Sequence, residues 1–332
     1  MELCSERRKI ILDTDPGGDD SFALLWLQSL VKQGFADLVA VTTAEGNVTA
    51  QRTFSNASKI LNFGNLNEVK VGRGVPVQTQ KIAAATHIHG NDGMGNLADS
   101  LPAARHNFAT AECSDDLIIE QLNSAPGEIT IVAVAPLTNL AAAEAKCPGI
   151  LQNAKEIVIM AGAFGCSGNV TASAEFNIAY NPEAAQTVLK SRNDSVILPL
   201  DITRQLIFTP AMADVVQAAN PDSRVTQFVV SLCQFMTRTA LHHRATQGIA
   251  GFLVHDAVTL AYLFYPETLL LRRGKVEIEM KGKWTRGKTL LDNRHRAKSE
   301  ANAWIAWQVD TANFFASLIE DLKVLVRREE GV

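Results

Sequence analysis

The sequence contains no Cys-x-x-Cys pair: its five cysteines, Cys4, Cys113, Cys147, Cys166 and Cys233, are widely spaced. An odd number at such spacings argues against a disulfide framework and against a cysteine zinc site, and it fits a reducing compartment. Long apolar runs are missing as well. No run of about 18 uncharged apolar residues occurs, and the opening stretch MELCSERRKIILD has no apolar segment ahead of its first strand. A soluble, cytoplasmic protein with no membrane partner is the expectation. Nor is there a surplus of positive charge, since 31 Lys and Arg stand against 35 Asp and Glu for a net charge of −4. The one loose basic cluster, between Arg272 and Lys298, falls in the alternating stretch KVEIEMKGKWTRGK and reads as the solvated faces of two strands and their hairpin. No nucleic-acid partner is expected. Internal repeats, low-complexity tracts and flexible linkers are absent too, so one domain over residues 1–332 is expected.

What is present is an ordinary apolar fraction, 47%, with 20% charged residues, enough for a sizeable core. Short β-branched runs alternate with longer amphipathic stretches: KIILDTD, DSFALLWLQSLVKQG, ADLVAVTTAEG, TAQRTFSNASKILNFG, and later EITIVAVAP, LTNLAAAEAK, KEIVIMAG and DSVILPLD. That rhythm predicts βαβ units in a doubly wound α/β fold, a mainly parallel sheet with helices on both faces. At least five core strands each end in polar or small residues, and ligands bind at that edge of such sheets. Residues 86–96 and 163–177 are Gly- and Asn-rich connections too long for simple turns, as active-site loops are. From about residue 222 the pattern changes to a long helix, a Gly-containing loop, a short helix near His255, a β-hairpin and a closing helix from about Asp310.

The most informative stretch is DTDPGGDD. It places Asp13, Asp15, Asp19 and Asp20 within eight residues, at the end of a strand, around a Pro-Gly-Gly turn and at the start of a helix. A helix N-terminus favours one or two negative charges, but four carboxylates this close repel one another. A bound cation would relieve that repulsion. With no Cys or His in the motif, the donors are all oxygen, which suits a hard ion such as Ca²⁺ or Mg²⁺. Farther along, VHDAV sets His255 beside Asp256 at a helix start, where Asp256 could be a plain N-cap. GNVTASAEFNIAYN places Asn169, Glu175 and Asn177 in a strand-to-helix loop, as turn-formers or as partners for sugar hydroxyls.

As an ordered set, ILDTDPGGDD, AEGNVT, HIHGNDGMGN, VAPLTNLA, IVIMAGAFGCSGNVTASAEFNIAYNPEAA, PLDIT, VHDAV and TRGKTLLD resemble the inosine-uridine preferring nucleoside hydrolase family over nearly the whole chain. The resemblance implies a tightly held Ca²⁺, hydrolysis of the N-glycosidic bond of purine or pyrimidine ribonucleosides to ribose and free base, and a homo-oligomer, dimer or tetramer. It implies Asp15, Asp20, the main-chain carbonyl of Thr138 and Asp256 as calcium ligands. Asp15 would also take the proton of the attacking water. Asp19, Asn47, Asn169, Glu175 and Asn177 are similar to ribose-binding residues, with Met160 lining the same pocket. His255 resembles the residue that protonates the leaving base, and Asp13 a supporting carboxylate. Bottom-up chemistry agrees, because cleaving a ribosyl bond needs an activated water on one face and help for the leaving group on the other.

The sequence departs from the family pattern at the nucleobase end. Residues 237–256, TRTALHHRATQGIAGFLVHD, contain neither Trp nor Tyr, and all four tryptophans (Trp26, Trp284, Trp304, Trp307) are expected in structural elements, so base selection by paired indoles is not expected. His89, His242, His243 and Arg244 are the candidates for base contact, and Arg204 follows PLDIT where many relatives carry His. Two other readings keep part of the site. One is a calcium-dependent ribose- or nucleoside-binding protein without turnover. The other is a Mg²⁺-dependent haloacid-dehalogenase-like phosphatase, which also begins with D-x-D but does not account for Asp19, Asp20 and the Asn/Glu loop.

Overall fold

A computed structural model describes residues 7–77, 82–294 and 300–327, so Cys4 and Lys298 lie outside the described residues. The first half of the chain runs β1 (Arg8–Thr14), α1 (Gly18–Lys32), β2 (Ala36–Thr43), α2 (Ala50–Leu61), β3 (Lys70–Gly72), α3 (Thr86–His89), α4 (Ser114–Ser124), β4 (Ile129–Ala133), α5 (Thr138–Lys146) and β5 (Glu156–Met160). It continues through α6 (Phe176–Tyr180), α7 (Pro182–Ser191), β6 (Ser195–Leu198), α8 (Leu200–Thr203), β7 (Ile207–Phe208), α9 (Pro210–Ala219) and α10 (Arg224–His242). The last part holds β8 (Phe252–Leu253), α11 (Val258–Phe264), β9 (Leu269–Ile278), β10 (Thr289–Asp292), β11 (Ala303–Val309) and α12 (Thr311–Val326).

Alternation along each strand builds two cores. In β1, Ile10 and Leu12 face one side of the sheet and Ile11 the other; Val132 opposes Ile131 and Ala133 in β4, and Val158 opposes Ile157 and Ile159 in β5. The Leu12 side is covered by α1, α2, α9, α10, α11 and α12, the Ile11 side by α4, α5 and α7. Helix α1 is buried from Gly18 to Leu30, apolar nearly all round, as a helix inside the core must be.

The sheet has nine strands in the order β10-β9-β11-β6-β5-β4-β1-β2-β3. From β11 to β3 neighbours run parallel, while β9 and β10 add an antiparallel edge. The chain leaves β1 through β2 and β3 to one side and returns through β4, β5 and β6 on the other. The crevice between β1 and β4 is therefore the topological switch point where ligands bind in such sheets.

Several expectations need correction. Strand β11 was not foreseen; it inserts between β6 and β9, so the hairpin partner of β10 is not the sheet's direct neighbour of the parallel core. Trp284 lies in the connection between β9 and β10, 79% exposed, rather than in a regular element. The helix expected near His255 begins at Val258 and its N-cap is Ala257, so Asp256 is not a capping residue.

Helix α1 is tied to α12 by one carboxylate. Asp321 accepts from the Trp26 indole at 2.6 Å, from the Tyr265 hydroxyl at 2.6 Å and from Gln33 at 2.8 Å. Truncating it leaves these donors without their charged acceptor, each such bond being worth about 1.5–3 kcal/mol. Asp321→Ala is expected to destabilise the fold by about 3 kcal/mol or more, read from the midpoint of urea unfolding. A loss below about 1 kcal/mol would show that the network does not hold α1 in place.

Candidate functional site

The carboxyl ends of β1, β2, β4, β5 and β6 open into a cavity of about 610 Å³, lined by Asp15, Asp19, Asp20, Asn47, His89, Met160, Asn169, Glu175, Asn177, His255 and Asp256 among others. The residues assigned from sequence to the ribose, with His89 and Met160, and both assigned to catalysis meet at this one cavity. Of the metal ligands that the resemblance implies, Asp15, Asp20 and Asp256 line the cavity, but Thr138 does not. It opens α5 just past β4, buried, with its hydroxyl accepting from Asn181 at 3.3 Å.

Each aspartate is held differently. Asp20 accepts from the Thr14 hydroxyl at 2.6 Å, from the Asp15 amide at 3.1 Å and from the Gly17 amide at 3.0 Å. Asp15 accepts from the Asn47 amide at 2.6 Å, and the Asn47 side chain donates to both the Asp15 carbonyl and Asp20. Close approach is possible there because residue 46 is Gly: a Cβ would stand 2.1 Å from the Asp15 carboxylate. Asp13, inside β1, accepts from Thr42 at 2.7 Å and Asn139 at 2.7 Å, while its other oxygen has no partner among the described residues.

Asp19, Asp20 and Asp256 present oxygens within 4.8 Å of one another, all buried. Asp19, read from sequence as a ribose contact, thus stands inside the group that could hold an ion, and Asp15 has one oxygen committed to Asn47. None of these aspartates has an ion pair with Lys or Arg among the described residues. Burial, then the charge of Asp20, pushes the Asp19 carboxyl up to about 8, and burial pushes Asp13 up to about 7. Asp15 and Asp256 are held well above the ordinary carboxylate range, by burial first and then by Asp20 and Asp19 respectively. A buried, unpaired, all-oxygen cluster of this kind fits a hard divalent cation, whose charge offsets the repulsion that now favours protons.

The sugar-type residues are preorganised by the backbone. Glu175 caps α6, accepting from the amides of Gly162, Asn177 and Ile178. Asn177, inside α6 rather than in the loop, donates to the carbonyls of Val134 and Met160, bridging the ends of β4 and β5 and leaving its own carbonyl oxygen for a ligand. Asn169 accepts from the Phe176 amide at 2.9 Å, which leaves its NH₂. The loop that carries these residues is pinned from outside by Thr289, which exchanges two hydrogen bonds with Ala163, and by Asp201, which accepts from Phe164 and Gly165.

At the other end, His89 accepts from the Gly18 amide at 3.0 Å, and burial followed by the charge of His87 pushes it down to about 4. His255 is fixed through Nδ1 by the Thr203 hydroxyl at 2.7 Å; burial, then Arg204, then His89 push it down to about 3. His243 and Arg244 line the cavity and His242 does not. Sequence reasoning missed Thr14, Thr42, Asn139, Thr203 and Asp201 as positioning residues. Their signal lay inside the quoted DTD, VTTAEG, PLTN and PLDIT stretches, as polar residues next to each assigned group.

A doubly wound sheet with a buried, cation-competent carboxylate cluster at its switch point defines the class: an α/β enzyme with its active site at the strands' carboxyl edge. The family model for the inosine-uridine preferring nucleoside hydrolase matches residues 10–316. Probable uridine nucleosidase 1 of Oryza sativa subsp. japonica is 32% identical over 323 residues, 95% of this chain and 96% of its own. Pyrimidine-specific ribonucleoside hydrolase RihB of Escherichia coli is 34% identical over 319 residues, 95% of this chain and 97% of its own. Among solved structures, a purine-preferring ribonucleoside hydrolase from Gardnerella vaginalis superposes with a TM-score of 0.87 at 26% identity, over 96% of this chain and 99% of its own. The chain belongs to the inosine-uridine preferring nucleoside hydrolase family and is an N-glycosyl hydrolase. No helix among the described residues is long and apolar enough to cross a membrane.

Raised carboxyls favour folding while they hold protons that the unfolded chain releases above its ordinary 3.8. That contribution is complete below about 4 and is lost as pH rises through about 7 for Asp13 and about 8 for Asp19. A cation must displace those protons, so its stabilising effect grows with pH. The rise in melting temperature on adding calcium or magnesium chloride to chelator-treated protein is expected to be larger at pH 8 than at pH 6. An equal rise at both would contradict proton competition.

Proposed function

We propose that the cavity hydrolyses the N-glycosidic bond of ribonucleosides with a resident Ca²⁺, Asp15 serving as the base that takes the water's proton. Asp15, Asp20, Asp256 and the Thr138 carbonyl would hold the ion, with Asp19 close enough to share it. When bound, calcium would supply charge to balance the aspartates, Lewis acidity toward water and attraction for sugar hydroxyls. Asp19, Asn47, Asn169, Glu175 and Asn177 receive the ribose hydroxyls, and Met160 walls the sugar's apolar face. The oxygen of water bonds to C1′ as the bond to the base breaks, and the electron pair of that bond leaves with the base. Carboxylates around the sugar favour its cationic, oxocarbenium-like transition state.

His255 remains beside the leaving base and closes the pocket there. Burial, then Arg204 and His89, hold it down to about 3, and Thr203 fixes its Nδ1. The observation that carries the reading is the convergence of three buried carboxylates with Asp15 and the Asn/Glu group in a single cavity. Uridine is the first substrate to test, since two relatives above 30% identity bear uridine or pyrimidine names. The same reading includes a cytoplasmic homo-oligomer; the half-exposed Trp304 and Trp307 on β11, with Leu270 on β9, supply apolar surface in support.

The test is release of ribose and free base from uridine and inosine. Asp15→Ala is expected to lower kcat by roughly 10²- to 10⁴-fold or more on both while the circular dichroism stays native. Ribose release near the wild-type rate would remove Asp15 as the base. His255→Ala should lose most on nucleosides whose base leaves poorly, and unchanged turnover on every one would remove it from the mechanism.

A further inference from the structure

Two cationic side chains line the cavity, Arg204 and Arg244. Arg244 sits in an exposed turn with a φ of +55°, whereas Arg204 is half-buried and fixed. Its main-chain amide closes α8 by donating to Leu200, and its guanidinium donates to the Gly168 carbonyl at 2.9 Å and to the Ser167 hydroxyl at 3.4 Å. The preceding residue, Thr203, holds His255, which in turn adjoins Asp256 of the carboxylate group. The end of α8 therefore spans from the sugar loop to the histidine wall of the cavity. A guanidinium has five N–H donors, and among the described residues Arg204 uses two of them, on the neutral oxygens of Ser167 and Gly168, with no ion pair. Its charge and its remaining donors are available to a ligand.

We propose that Arg204 binds the departing nucleobase and stabilises the negative charge that develops on it, favouring bases that carry a carbonyl beside the glycosidic nitrogen. The inference rests on the nucleoside hydrolase reading and adds to it a base-selecting group. In a pyrimidine nucleoside, the pair of the breaking C1′–N1 bond passes to N1 and, by conjugation, to the O2 oxygen. An N–H of Arg204 meets that oxygen. The water oxygen joins C1′, one water proton goes to Asp15, and the base anion takes a proton after cleavage, so ribose and neutral base are the net products of nucleoside plus water. In a purine nucleoside no carbonyl flanks N9, and the arginine gains less from the transition state.

Arg204 also anchors the Gly168 carbonyl beside Asn169, and loss of that anchor alone would slow every ribonucleoside equally. The discriminating measurement is kcat/KM on uridine, inosine and p-nitrophenyl ribofuranoside, whose leaving group needs little help. Arg204→Met is expected to cost roughly 10²-fold on uridine, and at least about tenfold more there than on the other two, the size seen when one preorganised donor to a developing anion is removed. Arg204→Lys, keeping the charge, should recover part of the uridine loss. Ser167→Ala, which loosens the loop without removing charge, should shift all three alike. Equal losses on the three substrates in Arg204→Met, or no loss on uridine, overturn the proposal. If Arg204→Met does not fold, a Lys variant no more impaired on uridine than on inosine overturns it as well. Wild-type protein inert toward all three would instead bring down the parent reading.

Discussion

Everything at the carboxyl edge of the sheet depends on the mutual repulsion of buried aspartates. Two like charges 4 Å apart in a medium of effective dielectric near 20 repel by about 4 kcal/mol, and Asp19, Asp20 and Asp256 stand at that scale with no lysine or arginine paired to them among the described residues. The N-terminus of α1 offers about half a positive charge, which cannot balance three. The cluster is left with two ways to be neutral enough to stay buried: hold protons, the direction in which burial and neighbouring charge push Asp19 and Asp256, or hold a divalent cation. On the proposed reading, protons and metal therefore compete for one site.

Around that constraint, the neighbouring residues hold groups already aimed at a ligand. Thr14 and the Gly17 amide fix Asp20; Asn47, given room by Gly46, fixes Asp15; Thr42 and Asn139 fix Asp13. On the far wall, Asp201 and Thr289 hold a loop whose own Glu175 and Asn177 are spent mostly on backbone partners. A site whose rotamers are locked by such partners loses little freedom on binding, which is where much of the advantage of orientation comes from. It also explains why motifs as distant in sequence as PLDIT and TRGKTLLD belong to the same pocket: both buttress residues 163–177.

The doubly wound architecture and the aspartate cluster were legible because they leave local marks, the period of two in KIILDTD and the excess of carboxylates in DTDPGGDD. What escaped was set by long-range pairing. Strand β11, AWIAWQV, carries no simple alternation because a bulge near Trp307 shifts its register against β9. Trp284 looked like part of the hairpin, yet the connection between β9 and β10 is long enough to leave it in solvent. Asp256 resembled an N-cap because it precedes an apolar run, but the chain turns helical only two residues later, and its carboxylate is free to meet Asp19 and Asp20. Likewise, nothing local to Asp19 separates it from Asp15; only the fold decides which one faces Asp256.

The finished cavity is electrically polarised. On the proposed reading, the carboxylates gather where the ribose would bind, and the guanidinium of Arg204, which lines the same cavity and lies near enough to His255 to depress it, faces the departing base. Breaking a glycosidic bond drives charge in that same sense, positive onto the sugar ring and negative onto the departing base. A ground-state nucleoside carries neither charge and gains little from either end, whereas the transition state meets both. Interactions of that kind lower the barrier without tightening substrate binding, since they strengthen only as the bond breaks. On the proposed reading, aspartates that would be a liability in an empty core become, once their repulsion is balanced, one pole of a field aligned with the reaction.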